Sequence, residues 1–200
     1  ALPIYTLMVS SCGEAAVSGV SLVDSISTLL IQILSALATG GAVVCSQYIG
    51  KKMPERAKLS AGQLMLIMLV SAGTVMVLVL LSYRFLLRAI FGQIDADVMQ
   101  NAEIYFIISA ISYPFLGVYN AGAALFRAIG NSKVSMYTSL VMNVINIGGN
   151  AVLIFGLKMG VMGAALATLT ARIVSALVMV VLLSRKDNPL CIATPGCMKP

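Results

Sequence analysis

The chain is a succession of long apolar stretches broken by short polar ones. Residues 1–9 are apolar but give way to Ser10, Ser11 and Gly13, far short of the roughly 20 residues that a spanning helix needs. They read as the outer part of a first helix, about residues 1–11, whose beginning is missing, and not as a signal peptide, since no basic leader stands before them. A second segment, 15–48, ends at Gly50, Lys51 and Lys52 with Pro54 just beyond, a clear helix stop. The third, 61–83, has almost no polar content, and Arg84 and Arg88 follow it where they can snorkel to headgroups. The fourth, 102–126, contains Pro114, which removes a backbone donor and predicts a kink. The fifth and sixth, 134–156 and 161–183, face each other across a Gly-bearing turn at 155–160. From residue 185 to 200 the chain is polar and Pro-containing, the pattern of a cytoplasmic linker or tail. The pattern predicts an all-α membrane protein, a polytopic helical bundle of six transmembrane segments with the first truncated, forming one lobe over residues 1–190.

Polar positions inside the apolar stretches mark where chemistry is to be sought. Asn143, Asn146 and Asn150 fall within an arc of roughly 60° at about 100° per residue, one polar stripe on an otherwise apolar helix. Asn150 lies about 9 Å inside from Gly156, and Thr168 about 12 Å inside from Gly160, so the two can share a level. The stripe either faces a hydrated cavity or ties helices together, a role worth about 0.6 kcal/mol per hydrogen bond. Gly148 and Gly149 beside it suit close approach of a helix, a ligand or water. In the second segment Asp24, Thr28, Gln32, Ser35 and Thr39 recur at three- and four-residue spacing. Asp24 sits about 15 Å past Glu14, a depth at which a carboxylate is either functional or, if the helix begins later, an N-terminal cap. Arg172 is about 18 Å from Gly160 and about 20 Å from Arg185, so it needs a partner within the bundle, with Asp24 or helix carbonyls as candidates. Paired, Asp24 is a fixed counter-charge; unpaired, it is a candidate proton carrier. Tyr113, Tyr119 and Asn120 flank the proline, either lining a cavity or packing.

Composition narrows the class. With 60% hydrophobic and 10% charged residues and a mean hydropathy of +0.99, the chain is a lipid-bilayer protein rather than a soluble domain. The absence of histidine removes imidazole metal sites and His-dependent nucleophiles, and no span carries paired carboxylates, so an enzyme is not expected. Cys12, Cys45, Cys191 and Cys197 are too scattered to read as a zinc site or disulfide frame. The net charge of +6 lies in short loops between spans, which suits a membrane surface and not nucleic acid. Lys51, Lys52, Arg56, Lys58, Arg127, Lys133, Arg185 and Lys186 fall on one side, eight against the three of Arg84, Arg88 and Lys158. The eight-bearing side is expected to be cytoplasmic, with both ends of the lobe there.

Four segments in order carry a resemblance: LATGGAVVCSQYIGKK, YNAGAALFRAIGNSK, VMNVINIGGNAVLIFG and GVMGAALATLTAR. Together they resemble the amino-terminal half of multidrug and toxic compound extrusion (MATE) transporters. The resemblance implies half of a twelve-helix, two-lobe protein of the cell membrane that works by alternating access. It implies export of a small organic cation driven by a coupling ion, proton or sodium, with no cofactor and with a second six-helix lobe as partner. It also implies that Asn146, Asn150 and Thr168 are cation-site positions. Where the family usually places an Asp on the first helix, this chain has Tyr5. A flippase for lipid-linked oligosaccharides and a non-transporting scaffold are the alternatives; a flippase cavity should bear several cationic side chains, and here only Arg172 is deep.

Overall fold

The computed structural model describes residues 14–92, 95–185 and 190. The stub of the first helix with Tyr5, and nearly all of the tail, lie outside the described residues. Within them the chain forms six α-helices and no strand: α1 Glu14–Gly50, α2 Pro54–Phe91, α3 Ala96–Ile111, α4 Tyr113–Ala128, α5 Ser132–Asn150 and α6 Gly160–Leu183. A π-helical turn, Ala151–Gly156, continues α5. Four helices are long and apolar enough to cross a bilayer, and α3 and α4, bent by 47° at their break, are so when taken together. The chain is thus an all-α, polytopic membrane protein.

Two helices outrun the hydrocarbon layer. α1 has 37 residues and α2 has 38, each about 55 Å long against a core of about 30 Å. α2 starts with Pro54 in its first turn, where a missing backbone donor costs nothing, and continues past Arg84 and Arg88 to a stop at Gly92, whose φ is 66°. Arg84 there pairs with Glu103 of α3 at 3.6 Å and lies over the Tyr83 ring. The outer side of α2 exposes Leu66, Leu78, Leu81 and Phe85, a face suited to lipid.

The break between α3 and α4 follows from Pro114, whose ring nitrogen has no hydrogen to offer the preceding turn. The chain tightens there: the Ser112 backbone N–H and hydroxyl both bond the carbonyl of Ser109. α4 beyond it is buried on nearly every side from Leu116 to Phe126 and packs on α1, α2, α5 and α6. Small residues allow this. A Cβ on Gly117 would lie 2.8 Å from the Ala72 Cβ and 3.0 Å from the Met68 carbonyl oxygen.

The apolar core is in two parts. One gathers Leu34, Ala42 and Cys45 of α1 with Met68, Leu125, Met179 and Leu183, near the Gly50 end. The other gathers Val20, Val23 and Ile26 with Leu87, Phe106, Tyr113, Val161 and Ala164, near the Glu14 end. On α1 the gap between them spans residues 27–33, and on α6 it spans 166–178. Ser27 of α1 and Thr168, Arg172 and Ser175 of α6 lie in this waist.

Candidate functional site

A cavity of about 250 Å³ opens at the waist. α1 contributes Asp24, Ser27, Thr28 and Ile31, α3 contributes Tyr105, α5 contributes Met142, Asn143 and Asn146, and α6 contributes Thr168, Ala171 and Arg172. The α1 set spans about 100° of arc, one helix face. Gln32 stands off this wall and is exposed. Each four-residue step advances about 400°, so Asp24, Thr28 and Gln32 drift by about 40° per step and Gln32 has turned away.

On α5 and α6 the polar groups form a directed relay. The Asn150 amide Nδ2 donates to Asn146 Oδ1 at 3.2 Å, the Asn146 Nδ2 donates to Thr168 Oγ1 at 3.0 Å, and that hydroxyl donates to the Ala164 carbonyl at 3.1 Å. Every link donates towards Ala164, so the open end of the relay is an acceptor: Asn150 Oδ1, fully buried and without a partner among the described residues. An unsatisfied buried carbonyl oxygen costs about 1–3 kcal/mol. Asn146 and Asn143 stand on the cavity wall, while Asn150 lies behind it. The π-helical turn starts at the next residue, and its Leu157 N–H bonds back to Val152. Gly149 is a packing position, since a Cβ there would lie 3.0 Å from the Ala167 Cβ, whereas Gly148 meets nothing within 4 Å.

The two deep charges take different partners. Asp24 Oδ1 accepts a hydrogen bond from the Tyr105 hydroxyl at 3.1 Å. Arg172 Nη1 donates to the Ser112 hydroxyl. Asp24 and Arg172 line the same cavity from α1 and α6. The proline break thus adds Ser112 to the partners expected for Arg172. It turns Ser112 out of the helix path as a buried hydroxyl facing α6.

Sequence reasoning missed Tyr105, Ser27 and Ser112. The packing of α3 on α1 brings Tyr105 to Asp24, a contact that no spacing along the chain announces. Ser27 and Tyr113 bond each other at 3.0 Å across α1 and α4, so Tyr113 is fixed in the core. Tyr119 belongs to the apolar core, and the Asn120 Nδ2 is buried without a described partner. No group of three or more His, Cys, Asp or Glu side chains is placed to hold a metal among the described residues.

The chain has counterparts among known proteins. The family model described as MatE matches residues 3–152 of the chain. The "Uncharacterized transporter YisQ" of Bacillus subtilis (strain 168) is 30% identical over 190 residues, covering 90% of this chain and 40% of that protein. The "Probable multidrug resistance protein YoeA" of the same organism is 30% identical over 182 residues, covering 89% of this chain and 39% of that protein. The chain therefore spans about 40% of the length of these curated relatives. In fold it superposes on a crystal structure of MATE in the bent conformation with a TM-score of 0.90 at 23% identity, over 98% of this chain and 44% of that one. With well over half of its residues inside the family model, the chain belongs to the MatE family, whose members are transporters and not enzymes.

Proposed function

We propose that this chain is the first lobe of a cation-coupled antiporter that exports cationic, drug-like organic compounds across the cell membrane by alternating access. The observation that carries the reading is the relay Asn150–Asn146–Thr168, which ends in a buried, partnerless carbonyl oxygen beside a cavity holding Asp24 and Arg172. Oxygen donors of this kind suit a hard cation such as sodium, and they equally suit a proton-bearing donor. The coupling ion, proton or sodium, is cargo and not a resident cofactor. Asn143, Asn146, Asn150, Thr168 and Asp24 are the residues proposed to receive ion or substrate, with Arg172 as the fixed positive charge of the wall. Gln32, exposed on α1 about 40° around from Thr28, is proposed to face the second lobe. Tyr5 keeps its proposed place on the first helix, where the carboxylate usual to the family is replaced.

At about 250 Å³ the cavity is below the roughly 300–1,000 Å³ of a complete small-molecule site. A second lobe is proposed to complete it, with both ends of this lobe in the cytoplasm by the distribution of basic residues. An oligosaccharide flippase is less well supported, because Arg172 is the one cationic side chain on the described wall. In the complete transporter, Asn150→Leu is expected to abolish resistance to cationic drugs while the protein still reaches the membrane. Unimpaired export by that variant overturns the assignment.

A further inference from the structure

At the end of the bundle that carries Lys51 and Lys52, a separate cavity of about 300 Å³ opens between α1 and α2. Its wall is Val44 and Tyr48 of α1 with Arg56, Leu59, Ser60 and Gln63 of α2. The spacing accounts for the grouping: the first two are one turn apart, and the other four take the i, i+3, i+4 and i+7 places of one helical stripe.

Tyr48, Arg56, Ser60 and Gln63 all offer hydrogen-bond donors, and among the described residues none of these side chains bonds another group. Glu55, the neighbour of Arg56 in sequence, pairs with Lys58 at 3.0 Å. Pro54 opens α2 and Arg56 belongs to its first turn, the positive dipole end of that helix. Lys51 and Lys52, both exposed in the connecting turn, add to the positive field. Away from this head, Leu59, Leu66 and Val70 are 64%, 61% and 59% exposed. They follow the stripe inward for about 16 Å, an apolar track along the membrane-crossing part of α2.

We propose that this groove binds one anionic phospholipid. Arg56 and the α2 N-terminus take the phosphate, Tyr48, Ser60 and Gln63 bond its phosphate and ester oxygens, and an acyl chain lies along Leu59, Leu66 and Val70. Basic pockets between transmembrane helices are suited to such headgroups. A free phosphate would use the head of the groove and leave the apolar track bare. The site lies apart from the polar waist and does not depend on the transport reading.

The test is native mass spectrometry of the full-length membrane protein containing this chain, delipidated in detergent and titrated with phosphatidylglycerol or phosphatidylcholine of the same acyl chains. One phosphatidylglycerol is expected to be held more tightly, by about fivefold or more, the effect of roughly one basic residue at an anionic surface. Arg56→Gln is expected to remove that preference, Arg84→Gln at the opposite end of α2 to keep it, and excess inorganic phosphate to leave the lipid in place. Equal retention of the two lipids, an unchanged preference in Arg56→Gln, or displacement by inorganic phosphate overturns the proposal. If Arg56→Gln does not assemble, melting of the unmodified protein decides: phosphatidylglycerol raises the midpoint above phosphatidylcholine, and equal midpoints overturn the proposal.

Discussion

Asp24 and Arg172 face one cavity from different helices, yet each is held by a neutral hydroxyl, Asp24 by Tyr105 and Arg172 by Ser112. The two hydroxyls fix where each charge stands on the cavity wall.

A charge-swapped variant tests this arrangement directly. Asp24→Arg with Arg172→Asp is expected not to restore the membrane expression lost in the single variants, because Tyr105 and Ser112, the hydroxyl partners of the two charges, are not exchanged by the swap. In a double-mutant cycle the Asp24–Tyr105 coupling should exceed the Asp24–Arg172 coupling, with the former about 0.5 kcal/mol or more. Full rescue by the swap contradicts the geometry.

The relay makes a graded prediction. Thr168→Ser keeps the acceptor for Asn146 and should behave as the parent chain. Thr168→Val removes it, with a cost of about 0.6 kcal/mol in stability, the average for a hydrogen bond between membrane helices. Thermal melting in detergent separates the two. A Val variant as stable as the Ser variant would show that the Asn146–Thr168 bond does not contribute.

Two glycines should respond oppositely. Gly117→Val places atoms 2.8 Å from the Ala72 Cβ and against the Met68 carbonyl, and is expected to cost about 1–3 kcal/mol by overpacking. Gly148→Ala meets open space and should be neutral or gain about 0.5–1 kcal/mol from helix propensity. Unfolding midpoints of the purified variants check the pair.

Membrane sidedness is accessible to labelling. Ser132 and Asp95 are exposed at helix starts on what the basic-residue distribution makes opposite faces. Single cysteines at these positions are expected to react with an impermeant maleimide from opposite sides of a sealed vesicle. Reaction of both from one side contradicts the orientation.

Much of the architecture was legible along the chain, because in a bilayer the backbone has to satisfy its own hydrogen bonds and long apolar segments therefore become helices. Asn143, Asn146 and Thr168 were legible for the same reason: a polar group deep in an apolar segment is conspicuous, and helical period then fixes its face. Helix ends were less so. Nothing in local hydropathy stops α2 at the membrane surface, and it continues through Arg84 and Arg88 until Gly92.

Only the tertiary structure decided which polar groups meet. The sequence offered Arg172 a carboxylate; the bend at Pro114 gave it Ser112, and the packing of α3 on α1 gave Asp24 to Tyr105. It also set Gln32 off the wall through a drift of about 40° per four residues, which a simple spacing rule ignores. Sequence period determines the face of one helix. Which faces meet depends on the bends and small-residue contacts that place helices against each other, and these join residues 60 to 86 positions apart, as in Arg172–Ser112 and Ser27–Tyr113.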